Sequence, residues 1–363
     1  MNKLHYIIPI FVPHEGCPHD CVFCNQNSIT GVTDNKINSQ TVENTIEEYL
    51  STIKRENSIV EVSFYGGTFT AIDMDKQKEL LSVAKQYKDK GIIDFIHLST
   101  RPDYINHKIL KNLKEYSTDI IELGVQSMDD EVLKKSGRGH TSNDVVKASQ
   151  LIKEYGFTLG HQIMLGLPGD TFKKDIDTAR KIIELKPNIA RIYPSLVVKD
   201  TPMERMYNDK VYSPYTLEQA MNISKIIYAM FIANDISVIR IGLQPTEEIN
   251  YGKDLIAGPF HPSFRELVEG SIYNDIIHEQ IRNYKNKEIF IVINNKDISK
   301  LYAYKKKFFN DIKVKNKTNK LKVLQDNSLE RNTLSLEVDE KYKKISIKEY
   351  LKNKYKEGKL NVL

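Results

Sequence analysis

The sequence lacks any run of eighteen apolar residues, so no segment reads as a membrane span. The apolar stretch at 6–12 follows Lys3, but Pro9 interrupts it, Pro13 ends it, and no small-residue cleavage site comes after. A first β-strand is expected there rather than a secretory leader. Cysteine is scarce as well: the three present, Cys17, Cys21 and Cys24, all fall in one short segment of a 363-residue chain. Bridges among them would be too local to staple a fold of this size, and secreted chains usually scatter their cysteines. A reducing, cytoplasmic setting is therefore expected. No second short-spaced pair of metal ligands is present, no internal repeat of fixed period is visible, and the C-terminal region has no Gly-x-x-Gly loop to clamp a nucleic-acid backbone.

What is present is an ordinary balance, 40% hydrophobic and 28% charged, on a chain long enough for one large domain and an appendage. The net charge of +5 is unevenly distributed. Residues 291–363 hold nineteen Lys and Arg against nine Asp and Glu, a net of +10, which leaves −5 for residues 1–290. A basic region attracts phosphate backbones; a lysine-rich solvated face is the plainer reading.

Seven apolar runs rich in Ile, Val, Tyr and Phe predict strands at 5–12, 60–65, 92–99, 119–125, 158–165, 189–193 and 237–241. Amphipathic stretches separate them. Val42, Ile46, Tyr49, Leu50 and Ile53 share one helical face, and Leu80, Leu81, Ala84 and Tyr87 share another. Ser142 or Asn143 is the expected cap of a helix carrying Val145, Val146, Ala148, Leu151 and Ile152. Six βα units and an extra strand predict an α/β fold, a partial (β/α)6 TIM-like barrel, over residues 1–245. A helical connector is expected over 246–288, broken by Pro259 and Pro262, with Ser263 and Glu266 spaced as a capping box. A small basic α+β appendage is expected over 289–363, with strands at 289–293, 321–324 and 334–338 and one helix over 298–312. That helix would carry Lys305, Lys306 and Lys307 beside Phe308 and Phe309. In such barrels chemistry sits at the C-terminal ends of the strands.

The cysteines occupy Cys17-Pro-His-Asp-Cys21-Val-Phe-Cys24, directly after the first predicted strand. Thiolates are soft ligands that suit iron–sulfur clusters, zinc or copper(I). Three of them wrap three corners of a 4Fe–4S cube and leave one iron open to a chelating ligand. The competing readings are a structural zinc site completed by His14 or His19, and a redox pair of Cys21 with Cys24, in which Cys17 has no part.

Further candidates end the later strands. Gly66 and Gly67, before Thr68, allow a ligand to approach the backbone closely, although a tight turn uses the same pair. Arg101 is placed to grip a carboxylate with both arms, or to form a surface ion pair. Glu122 and Gln126, before Ser127, interrupt an apolar run and so require partners. Arg138, ahead of a helix, offers a cation or a phosphate contact. His161 and Gln162 precede a glycine-containing segment at 163–169; a satisfied core histidine is as good a reading of His161 as a functional one. Tyr193 ends the sixth strand as a substrate-lining candidate or a core-edge tyrosine.

The cysteine loop, with aromatic Phe23 before its last cysteine, resembles the cluster motif of the radical S-adenosylmethionine superfamily. The resemblance implies a 4Fe–4S cluster on Cys17, Cys21 and Cys24, and S-adenosylmethionine on its open iron. It implies adenine contacts near Phe23 and the 162–169 segment. Gly66, Gly67 and Thr68 would meet the methionine amino group, Thr68 standing where an acidic residue is usual. Glu122, Gln126 and Ser127 would meet the ribose and methionine portion. Reductive cleavage of the cofactor would yield a 5′-deoxyadenosyl radical for hydrogen abstraction, with flavodoxin or ferredoxin as electron source.

Within that superfamily, Gly-Val-Gln-Ser at 124–127, Arg-Gly-His-Thr at 138–141 and Ile-Tyr-Pro-Ser-Leu-Val-Val at 192–198 resemble the Elongator catalytic subunit, a tRNA wobble-uridine modifier, over about 9–245. This chain has a shorter gap between its first two cysteines, and about seventy residues after 290 are too few for that subunit's acetyltransferase domain. Oxygen-independent coproporphyrinogen oxidase and its haem-chaperone relatives share the spacing. Those proteins continue to a fourth cysteine, where Asn25 and Gln26 follow here. The expectation is a radical enzyme acting on tRNA or another RNA through the basic C-terminal region. A porphyrin-related enzyme is the alternative, and a non-catalytic cluster or zinc module that binds RNA is the alternative of another class.

Overall fold

Strand-forming runs of Ile and Val, each followed by a capped amphipathic helix, build most of the chain. The computed structural model describes residues 3–12, 17, 19–25, 37–246, 249–250, 252–284, 287–317 and 320–360. It divides into two units, Met1–Tyr215 with Leu243–Pro259, and Thr216–Gly242 with Phe260–Leu363.

In the first unit, β1 (Leu4–Val12), β2 (Ser58–Gly66), β3 (Phe95–Thr100), β4 (Ile120–Gln126), β5 (Thr158–Leu165) and β6 (Ile189–Pro194) lie in sequence order, each parallel to the next. The crossovers carry α1 (Ser39–Leu50), α2 (Met74–Asp89), α3 (His107–Glu115), α4 (Asp130–Lys135), α5 (Ser142–Glu154) and α6 (Phe172–Leu185). This is the expected partial (β/α)6 arrangement, and it aligns all six C-terminal strand ends on one rim. Every predicted strand is present. The third begins at Phe95 rather than 92, because Gly91 adopts φ +69° in the turn that closes α2. Thr141, not Ser142 or Asn143, caps α5: only from Thr141 does Asp144 stand three residues on, where each side chain bonds the other's backbone N–H. A two-residue strand, β7 (Val197–Val198), pairs antiparallel with β9 (Leu255–Ala257), and α7 (Pro202–Asn208) lies between them in sequence.

The second unit contains α8 (Leu217–Ala233), the strand β8 (Ser237–Ile241) and α9 (Phe264–Ile281). Ser263 precedes α9 but makes no side-chain capping bond, so the expected capping box does not form. A four-stranded sheet follows, ordered β11 (Leu321–Gln325), β10 (Ile289–Ile293), β12 (Thr333–Val338) and β13 (Lys341–Ser346). The last helix, α12, is Ile347–Lys356; neither β13 nor α12 was expected from the sequence. The single helix expected over 298–312 is two, α10 (Ile298–Leu301) and α11 (Lys307–Lys315). Asn274 Nδ2 takes the Leu301 carbonyl at 3.0 Å, and Tyr304, Lys305 and Lys306 turn through positive φ. Lys305 and Lys306 are therefore turn residues, only Lys307 is helical, and Phe309 is buried. Among the described residues no helix is long and apolar enough to cross a membrane.

Candidate cofactor site at the strand rim

β1 delivers the cysteine loop to the rim, where it meets the end of β2. Cys17 Sγ lies 3.5 Å from Thr68 Oγ1, and the Gly67 N–H donates to Val12 O at 2.7 Å. Gly66 holds φ +107°, and a Cβ there would stand 2.9 Å from Val12 O, so a glycine is needed at 66 for this approach. Within the loop, the Cys24 N–H donates to Cys21 O at 3.0 Å. Val22 and Phe23 pack on Val197, Met203 and Tyr212. Asn25 Nδ2 donates to Lys199 O at 3.0 Å. His14 and Gln26 lie outside the described residues; His19 stands beside Gly139.

Arg138 faces this loop. Its Nη1 donates to Cys21 Sγ at 3.1 Å and its Nη2 to Gly124 O at 2.6 Å. Arg101 is buried, with its fork on Asp103 at 3.0 and 2.9 Å and a further bond from Nη2 to the Arg138 carbonyl. The two-armed grip read from the sequence is thus made on a neighbouring side chain. Burial, then the charges of Arg138 and Arg101, depress the His140 pKa to about 4, and its Nε2 lies 3.2 Å from Val125 O.

β4 ends in a bulge where Gln126 takes φ +65°. Gln162 Nε2 donates to Gln126 Oε1 at 3.4 Å, bringing those two candidates together. Ser127 faces elsewhere, its Oγ 3.3 Å from Thr178 on α6. Glu122 is buried and binds Arg191 Nε through Oε2 at 2.8 Å, with Ser99 Oγ donating to Oε1 at 3.4 Å. Arg191 also donates to the hydroxyls of Tyr65 at 2.8 Å and Tyr193 at 3.4 Å. Behind this group, Glu61 bonds His97 at 2.7 Å, His5 at 3.0 Å and Ser63 at 2.5 Å. Burial alone would raise the Glu61 pKa, but these bonds outweigh it and hold the carboxyl far below its usual range. His161 is fully buried against Ser149 Oγ on α5 at 2.9 Å, and burial lowers its pKa to about 3.

The sequence reading missed Arg191, Tyr65 and the His5–Glu61–His97 group. A charged residue inside an apolar strand was the available signal, since burial without a partner is costly. It also missed an acid pair after β5, half-buried Asp170 in the loop and buried Asp175 on α6. Burial and the neighbouring Asp170 raise the Asp175 pKa, while the Tyr215 hydroxyl donates to Asp175 Oδ2 at 2.8 Å.

Among the described residues no three His, Cys, Asp or Glu side chains converge on a point able to hold a single metal ion. The donor set still fits a cluster: three soft sulfurs share one loop, and two of them have a hydrogen-bonding group beside them, Arg138 Nη1 at Cys21 and Thr68 Oγ1 at Cys17.

Comparison with known proteins is consistent with this site. The model of the radical SAM superfamily matches residues 11–182, and that of the radical SAM C-terminal domain matches 187–274. A tRNA uridine(34) acetyltransferase of Methanocaldococcus jannaschii is 28% identical over 62% of this chain and 48% of its own length. An uncharacterized protein of the same organism, MJ0486, is 31% identical over 58% of this chain and 67% of its own. The solved structure of Methanocaldococcus infernus Elp3 with an N-terminal deletion covers 75% of this chain and 63% of that one, with a TM-score of 0.61 at 22% identity. The chain spans about half the length of the tRNA uridine(34) acetyltransferase it matches. Proteins of this superfamily generally bind a 4Fe–4S cluster and S-adenosylmethionine. From the cysteine loop, the parallel strands that carry it and these matches, the chain belongs to the radical SAM superfamily and is homologous to the Elongator-type radical region.

Proposed function

We propose that the chain is a radical SAM enzyme that modifies RNA, with tRNA as the substrate class. The observation that carries the radical reading is the meeting of the cysteine loop with the Gly66–Thr68 turn on one rim, Cys17 Sγ lying 3.5 Å from Thr68 Oγ1. In this reading Cys17, Cys21 and Cys24 hold a 4Fe–4S cluster. Gly66, Gly67, Thr68, Gln126, Gln162 and the backbone near Phe23 hold S-adenosylmethionine. When bound, the pair supplies reductive cleavage of the sulfonium and a 5′-deoxyadenosyl radical for hydrogen abstraction. The chain's own part is to position and to seal. Arg191, fixed by Glu122, holds the Tyr65 and Tyr193 hydroxyls and sets Tyr193 as a lining group on the substrate side. Glu122 and Arg101 position other side chains.

RNA is supported by the named activity of the acetyltransferase relative and by the +10 of residues 291–363. A flavodoxin or ferredoxin in the cytoplasm is the electron source that fits. Anaerobic reconstitution tests the reading: four irons per chain and 5′-deoxyadenosine release with dithionite are expected. A colourless protein holding one zinc would overturn it. Mass spectrometry of tRNA from a deletion strain tests the substrate, with loss of one modified nucleoside expected and an unchanged nucleoside profile counting against tRNA.

A further inference from the structure

Between α4 and α5 the chain closes a clasp on the cysteine loop. Ser136 O accepts the Val22 N–H at 3.1 Å. Gly137, at φ +66°, would place a Cβ 3.0 Å from Asp20 O, and Gly139, at φ +73°, would place one 2.3 Å from the His19 ring. Both glycines let the segment lie directly on the loop. Arg138 stands between them, only 6% exposed, with Nη1 on Cys21 Sγ at 3.1 Å and Nη2 on Gly124 O at 2.6 Å. Its Nε has no partner among the described residues. The nearby carboxylate, Asp103, is committed to Arg101.

A buried guanidinium that donates to a thiol and a carbonyl is poorly compensated by the protein alone. We propose that Arg138 is a positioning residue that donates to the Cys21 thiolate of the bound cluster and raises its reduction potential. The inference rests on the cluster reading above. A 4Fe–4S cube in its oxidised 2+ state on three thiolates bears one net negative charge. One electron from a flavodoxin- or ferredoxin-type donor makes it two. A fixed cation with an N–H on a ligand sulfur stabilises the more negative state, because hydrogen bonds to the sulfurs and local charge set cluster potentials. The Cys21 thiolate neither gains nor loses a proton in this step; only the electron moves, from donor to cluster.

The test is a dithionite redox titration followed by electron paramagnetic resonance on the reconstituted full chain, comparing the parent with Arg138→Met and Arg138→Lys. At a fixed ambient potential the reduced-to-oxidised ratio is expected to fall about tenfold in Arg138→Met, a shift of ~59 mV for a one-electron couple. Arg138→Lys should fall between, and iron per chain should stay at the parent value. Arg138→Met holding a full cluster at the parent midpoint would overturn the proposal. So would loss of iron from both variants, which would assign Arg138 to holding the loop. A parent chain that takes up no cluster strikes the radical reading itself, a failure distinct from either.

Discussion

Arg191 balances Glu122 inside the first unit, and it fixes two tyrosine hydroxyls as it does so. Removing one partner of a buried ion pair leaves the other uncompensated, which typically costs about 3–5 kcal/mol. Arg191→Met is expected to lose that much in urea unfolding, and adding Glu122→Gln should restore part of it. A double variant no more stable than the single would show that the two side chains are not coupled. His161 gives the clearest acid response. Its pKa is about 3 in the fold against an ordinary 6.5, because burial disfavours the charged ring. In this window the unfolded chain binds the extra proton, so stability is complete above about pH 6.5 and declines as pH falls toward 3. The full loss is of the order of 5 kcal/mol. His161→Leu should flatten this part of the pH–stability curve, measured by thermal melts at pH 4.5 and 7.5. An equally steep curve would place the response on other groups.

At the scale of elements, the Gly66 turn and the α5 cap make contrasting predictions. Gly66→Ala forces a side chain into φ +107° and against Val12 O, so a cost of about 1–3 kcal/mol is expected together with reduced iron uptake, read by melting and iron assay. Thr141→Ala removes a reciprocal cap whose two bonds run between Thr141 and Asp144, and should cost ~1 kcal/mol with iron uptake unchanged. These elements also show what a sequence can reveal. The strands were legible because burial on both faces demands unbroken Ile and Val runs, and the rim followed from their parallel order. The cysteine loop was legible because soft ligands at that spacing have few uses. The aim of Arg138 was not: only the fold brings residue 138 to Cys21, 117 positions away in the chain. The break between α10 and α11 was hidden for a similar reason. Asn274, on another helix, claims the Leu301 carbonyl that continued helix would have used. The partner of Arg101 was also hidden: its fork lies on Asp103, two positions on.

At the scale of the molecule, charge separates the two ends of the sequence, −5 against +10. β13 is an edge strand whose Lys341, Lys343 and Lys344 are exposed, as is Tyr342 between them. If RNA is held there, Lys341→Gln, Lys343→Gln and Lys344→Gln together should lower the slope of log affinity against log salt by about 2–3, since each phosphate contact contributes roughly 0.7–0.9. Filter binding of tRNA over a salt series checks this, and an unchanged slope would move RNA off that edge. The clasp on the cysteine loop also has a consequence in time. A ribosome adding about 5–20 residues per second needs on the order of ten seconds to pass from Cys21 to Arg138. Throughout that interval the nascent chain offers three thiols with neither Ser136 nor Arg138 to close over them. On the cluster reading proposed above, iron and sulfide delivered then would meet an open loop, so loading is expected only once residue 138 has been synthesised.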